Sequence, residues 1–180
     1  MKRADYQPAR FLDPTLVWRP LGRQSVPAGV RGWLADQGSL TRRLQAEGAF
    51  RVQPLGQGMA RPTAAEAALL GLAPRRDALV REVLLHVDGT PWVYARSVLP
   101  LASLRGRNRV LGHMAGRSLG AELFRRPRAQ REAVRVAAVP VTRLPWAGQD
   151  QTGACWGRQS LFRKRGQPLL VAEVFLFLPA

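Results

Sequence analysis

The chain has 180 residues, 46% of them hydrophobic and 22% charged, the proportions of a soluble globular protein that buries roughly 70% of its unfolded surface on folding. Its single cysteine, Cys155, excludes a disulfide-stapled miniprotein, and one cysteine with two histidines cannot complete a four-ligand zinc site. Charge is strongly positive, 28 Lys and Arg against 12 Asp and Glu for a net +16, which raises nucleic acid as a partner.

The kind of basic residue weakens that idea. All but Lys2 and Lys164 are arginines, set among many Ala, Gly and Leu, a bias that GC-rich coding also produces. The densest stretch, Arg105 to Arg143, holds ten arginines and lacks the interleaved aromatics of a base-stacking platform. A solvated basic face and no specific nucleic-acid partner are expected. The most apolar segment, Leu169 to Leu178, is interrupted by Glu173 and is far shorter than the ~20 residues of a membrane-spanning helix. Met1 to Pro14 has no apolar signal region, so export is not expected and a reducing, cytoplasmic location is.

In chain order, Val30, Trp33, Leu34 and Gln37 predict a short amphipathic turn, and Ser39 caps a second helix that runs through Leu44 and ends before Gly48. Thr63 with Glu66 three residues later is a capping-box pattern opening an Ala/Leu-rich helix, which Gly71 and Pro74 stop. From Leu79 the pattern becomes that of strands. Leu79 to Val87 and Trp92 to Leu99 flank the turn signal Asp88-Gly89 and predict a β-hairpin. Helical signals return between Ser103 and Arg126, where Ser118 caps Leu119 to Phe124. Arg131 to Leu144 is a strand candidate. A second hairpin joins Trp156 to Phe162 with Leu169 to Leu178 around Arg163 to Gly166. Helices and antiparallel hairpins grouped this way predict a single-domain α+β fold with helices packed on an antiparallel sheet.

Two charges stand on faces that should be apolar. Leu79, Arg81, Val83, Leu85 and Val87 share one side of the first hairpin strand, and a two-residue turn would set Arg81 opposite Arg96 on that same side. Like charges across a strand pair repel, so a shared anion is the simplest compensation. On the last strand Val171, Glu173, Phe175 and Phe177 share a face, and burying an unpaired carboxylate would cost several kcal/mol. Either Glu173 neutralises Arg81 or Arg96 inside the core, or these groups face a cavity for a small hydroxylated anion. The dipeptides Ser39-Leu40 and Ser118-Leu119 add two helix starts, each with backbone N–H groups that no helical carbonyl accepts.

Other candidates are weaker. His86 falls on the face opposite Arg81 and His113 in a Gly-rich stretch, neither with the partners of a catalytic triad, and both are expected to be structural. Cys155 reads as a packed residue rather than a nucleophile. Gly56 and Gly58 lack the Lys-Ser/Thr of a phosphate-binding loop.

Several ordered blocks together resemble one family. They are Trp33-Leu34 through Ser39-Leu40-Thr41-Arg42-Arg43; Val80-Arg81-Glu82-Val83-Leu84-Leu85 with Asp88-Gly89-Thr90-Pro91-Trp92 and Arg96-Ser97-Val98-Leu99-Pro100; Ser118-Leu119-Gly120 with Leu123-Phe124; and Trp156-Gly157-Arg158 with Gly166-Gln167-Pro168-Leu169-Leu170 and Glu173-Val174-Phe175. This pattern resembles the bacterial chorismate lyases. The resemblance implies residues 1–28 as an N-terminal extension and 29–180 as the catalytic domain, with a central antiparallel sheet flanked by helices and an internal ligand cavity under helical flaps. It further implies cofactor-free conversion of chorismate to 4-hydroxybenzoate and pyruvate, the first committed step of ubiquinone synthesis, by a cytoplasmic monomer. The family's contacts fall on Arg81 for the ring carboxylate, Glu173 for the 4-hydroxyl, and the backbone of Leu40 and Leu119; from the hairpin pairing with Arg81, Arg96 is expected as a further carboxylate holder. Some members carry Met where this chain has Leu40, a change that a main-chain contact tolerates.

Two other classes make different predictions. Effector domains of some transcription regulators resemble this fold, but a regulator needs a DNA-binding domain upstream, and fewer than 30 residues precede the first matching block. An arginine-rich nucleic-acid binder would bind with steep salt dependence.

Overall fold

The computed structural model describes residues 16–114, 116–140, 144 and 153–178. Two tight turns organise its sheet. Asp88 and Gly89 have φ of 48° and 81°, and Arg165 and Gly166 of 51° and 77°, the double positive φ that matches the twist of a two-residue hairpin. The first turn joins β3 (Ala78–Val87) to β4 (Thr90–Pro100), and the second joins β6 (Ala154–Lys164) to β7 (Gln167–Phe175). With β1 (Arg19–Pro20), β2 (Phe50–Ala60) and β5 (Gln130–Pro140) they form one seven-stranded sheet in the order β1-β5-β6-β7-β4-β3-β2, every pair antiparallel.

The helices are short and capped where the sequence predicts. α1 spans Ala28–Ala35 and buries Trp33 and Leu34. α2 (Leu40–Glu47) starts at Ser39, whose side chain accepts the Arg42 N–H, and α4 (Leu119–Phe124) starts at Ser118, which accepts the Ala121 N–H. The capping box of α3 (Ala64–Leu69) is complete, with Thr63 and Glu66 each accepting the other's backbone N–H. Between Ser103 and Arg126 the helical signal resolves into two 3-10 stretches, Leu101–Leu104 and Gly106–His113, ahead of α4. The expected strand from Arg131 ends at Pro140, and 141–143 lie outside the described residues.

Both sheet faces are covered, which produces the α+β architecture. One face carries Val83, Leu85, Ala95 and Phe175 under α1 and α2, continuing into Leu79, Leu99, Phe162 and Leu169 against α4 and the 3-10 stretches. The other packs Val80, Val98 and Leu170 against Leu70 after α3, and Leu84, Tyr94 and Val174 against Leu144.

Three bulges break the simple alternation. In β2, Leu55 is extra between Pro54 and Gly56; no strand is predicted here from the sequence, and the position of β2 at the sheet edge tolerates Pro54. In β4, His86 pairs with Pro91 but Leu85 with Val93, leaving Trp92 extra. In β5, Arg131 pairs with Phe162 but Ala133 with Leu161, leaving Glu132 extra. One added residue moves every side chain beyond it to the other face.

Candidate active site

The Trp92 bulge corrects the expected register. Arg81 faces Ser97, and Arg96 faces Glu82, so the two arginines project from opposite sides of the sheet. Arg96 belongs to a buried network away from Arg81. Its Nε and Nη2 donate to the two oxygens of Glu66 and its Nη1 to Glu82, whose carboxylate also accepts from the Tyr94 hydroxyl. Burial pulls the Arg96 guanidinium down, but the Glu66 hydrogen bond and the charges of Glu66, Glu82 and Tyr94 outweigh it and leave it above its ordinary value.

Arg81 instead lines a pocket between the sheet and the N-terminal ends of α2 and α4. Leu40, Thr41, Ser118, Leu119 and Gly120 roof it, and Val83, Ala95, Ser97, Val171 and Glu173 rise from the sheet beneath. Arg81 is 3% exposed and its Nη2 donates to the Arg117 carbonyl at 2.7 Å, just before α4. Burial pushes it down to about 10, still a cation at neutral pH. Arg81, Glu173, Leu40 and Leu119, four residues singled out in the sequence, therefore share one pocket. Arg96 does not join them.

Glu173 stands opposite Ala95 on β4, while Arg81 stands opposite Ser97. Two strand spacings and two residue rises separate their backbones by roughly 12 Å, and both side chains line the pocket between. The salt bridge expected of Glu173 exists with a different partner. Arg158, directly across from it on β6, donates from Nε to Glu173 Oε2 and from Nη1 to the carbonyls of Trp33 and Asp36. That pairing follows from the Arg165-Gly166 turn by counting back along both arms, a signal present in the sequence. Arg131, which sequence reasoning also missed, does line the pocket.

Two contacts hold the roof. Thr41 Oγ1 and Ser118 Oγ share a hydrogen bond that ties α2 to α4. Lys164 Nζ donates to the carbonyls of Glu122, Arg125 and Pro127 at 2.7–2.9 Å, placing a cation at the C-terminal end of α4 where the helix dipole favours it. The secondary candidates His86 and Cys155 lie outside this pocket. His86 lies on the far face beside Gln53 and the Gly89 carbonyl, and burial pushes the Cys155 thiol up to about 11, which keeps it protonated at neutral pH. Among the described residues no group of three His, Cys, Asp or Glu could hold a metal, and no helix is long and apolar enough to cross a membrane.

The seven-stranded antiparallel sheet with short helices on its faces defines a class of α+β domain, with a pocket between the sheet and the starts of α2 and α4. The effector domain of PhnF from Mycobacterium smegmatis shares this fold, with a TM-score of 0.53 at 17% identity over 78% of this chain and 89% of that one, a distance at which only the fold is shared. Sequence comparison is more specific. The chain is 54% identical over 165 residues to the "probable chorismate pyruvate-lyase" of Alcanivorax borkumensis, covering 92% of this chain and 78% of that protein. It is 42% identical over 165 residues to the protein of the same name in Thiobacillus denitrificans, covering 88% of each. The family model for chorismate lyase matches residues 13–180. The chain belongs to the chorismate lyase family and is a lyase.

Proposed function

We propose that the protein converts chorismate to 4-hydroxybenzoate and pyruvate without a cofactor, in the cytoplasm, and so supplies the aromatic ring of ubiquinone. The strongest support is that a buried arginine and a carboxylate, two strands apart, line one pocket, which suits a ring bearing a carboxylate at one end and a hydroxyl at the other. Residues 29–180 carry the whole pocket in this reading.

The reaction needs little chemistry from the protein. The ring C3–O bond breaks, C4 gives up its hydrogen as a proton, and the departing enolpyruvate takes up a proton on its methylene carbon to become pyruvate. The ring keeps its 4-hydroxyl and becomes aromatic, and that aromatisation supplies most of the driving force. What remains is orientation. Arg81 holds the ring carboxylate by charge-assisted hydrogen bonds, and the N–H groups of Leu40 and Leu119, at the first turns of α2 and α4, donate to the bound anion. Glu173 accepts a hydrogen bond from the 4-hydroxyl, which sets its carboxylate beside the C4–H bond that must break. The Thr41–Ser118 contact keeps water out while the ring is held.

Incubation of the purified protein with chorismate tests this reading. Pyruvate and 4-hydroxybenzoate should appear one to one, at a rate that a chelator leaves unchanged. Absence of both products, or activity only with an added divalent ion, would refute it.

A further inference from the structure

Chorismate carries two carboxylates and its aromatic product one, so a pocket built around the product leaves a charge of the substrate unanswered. We infer that Arg131 receives the second carboxylate, on the enolpyruvyl group, and that the protein thereby distinguishes its substrate from its product. This assignment rests on the proposed chorismate reaction.

The Glu132 bulge is what makes it possible. Val136 on β5 faces the same side of the sheet as Arg158, and plain alternation from Val136 would turn Arg131 away from that side. With Glu132 extra, Arg131 pairs with Phe162 and turns into the pocket. Its guanidinium carbon lies 4.8 Å from the centre of the Phe162 ring and 6.0 Å from that of Phe124. One Nη1–H donates to the Asp36 carbonyl at 2.7 Å, the same oxygen that accepts from Arg158. That shared acceptor places the Arg131 head at the Glu173 end of the pocket, remote from Arg81. Its Nε is buried without a hydrogen-bond partner among the described residues, and burying an ionised donor in that state is costly. Burial and the neighbouring Arg158 push its guanidinium below its ordinary value, with Glu173 and Asp36 offsetting part of that. Stacking on two rings fixes the fork, and an incoming carboxylate can be gripped in two places.

The charged side chains that line the pocket are Arg81, Arg131 and Glu173, and Glu173 is already paired with Arg158. Arg158 is fully buried and does not line the pocket, which leaves Arg131 as the arginine within reach of a group attached at C3, next to the carbon whose hydroxyl meets Glu173. Once the C3–O bond breaks, the carboxylate held by Arg131 leaves with pyruvate, and the product remains held by Arg81.

The test compares substrate and product on the same variant. Arg131→Gln should raise KM for chorismate at least tenfold and lower kcat/KM by more, while the Kd for 4-hydroxybenzoate, measured by calorimetry, changes less than threefold. Arg131→Lys should recover part of the loss, since it restores the charge without the fork, and it carries the comparison if the Gln variant does not fold. Chorismate kinetics unchanged in both variants, or KM and product Kd rising by the same factor, would overturn the assignment to Arg131 alone. A wild-type protein that forms no pyruvate from chorismate would overturn it together with the proposed reaction.

Discussion

Arg81 and Arg96 sit on neighbouring strands of the same sheet, both almost completely buried, and they do different work. Arg96 is matched on the spot by two carboxylates and a tyrosine hydroxyl, and it fastens α3 to the sheet through Glu66. Arg81 opens onto a pocket, is held through a backbone carbonyl of the roof, and is pushed down to about 10 by burial. A buried cation bound to carboxylates of two elements fastens them together, whereas one that lines a pocket is placed to bind an anion. The Trp92 bulge creates the distinction, since without it both arginines would crowd one face.

Replacing Arg96 should break the architectural side and spare the chemical one. Arg96→Met strands Glu66 and Glu82 in the core, and removing one member of a buried ion pair costs about 3 to 5 kcal/mol. Urea unfolding should show that loss, with kcat/KM per folded molecule within about twofold of wild type. A stable Arg96→Met protein with little activity would mean that the far face takes part in catalysis.

Glu173 stands between the two cases, because it lines the pocket and is also the partner of Arg158. Glu173→Gln keeps an acceptor for Arg158 but loses the charge, so turnover should fall at least roughly tenfold, ~1.4 kcal/mol in the barrier. Stability should fall as well, by about 1.5 to 3 kcal/mol, the worth of a hydrogen bond to a charged group. Unfolding and initial rates measured on one sample separate the two effects, and full activity per folded molecule would make Glu173 purely structural.

Smaller effects should come from the roof. A methyl group on Gly120 would lie 2.6 Å from Thr41 Oγ1, so Gly120→Ala should pry α2 from α4, at a cost of about 1 kcal/mol for the strained Thr41–Ser118 hydrogen bond. Calorimetry should show weaker binding of 4-hydroxybenzoate by about three- to tenfold. The smallest effect belongs to Cys155. With its thiol near 11, Cys155 should react with iodoacetamide at pH 8 about a hundredfold more slowly than a free thiol, and Cys155→Ser should leave turnover within about twofold.

Most of the fold is legible in the sequence because its signals are local. Ser39, Ser118 and the Thr63–Glu66 box mark helix starts, and Asp88-Gly89 marks a turn that only a hairpin uses. Arg81 and Glu173 could be found because each interrupts an apolar alternation. The alternation argument misplaced Arg96 and missed Arg131 for a single reason, that a bulge reverses parity without leaving a residue signature. Which residue becomes extra is settled by packing across the sheet, where Trp92 meets Trp33 and Phe177.

The contrast between the two buried arginines is tested most directly by titrating 4-hydroxybenzoate into the wild-type protein and into Arg81→Ala. Saturable one-to-one binding by wild type is expected, weakened in the variant by about a hundredfold, ~2.8 kcal/mol for a lost charge-assisted carboxylate contact, with the variant still folded by circular dichroism. Equal affinities in two folded proteins would contradict the account, because Arg81 would then take no part in holding the anion.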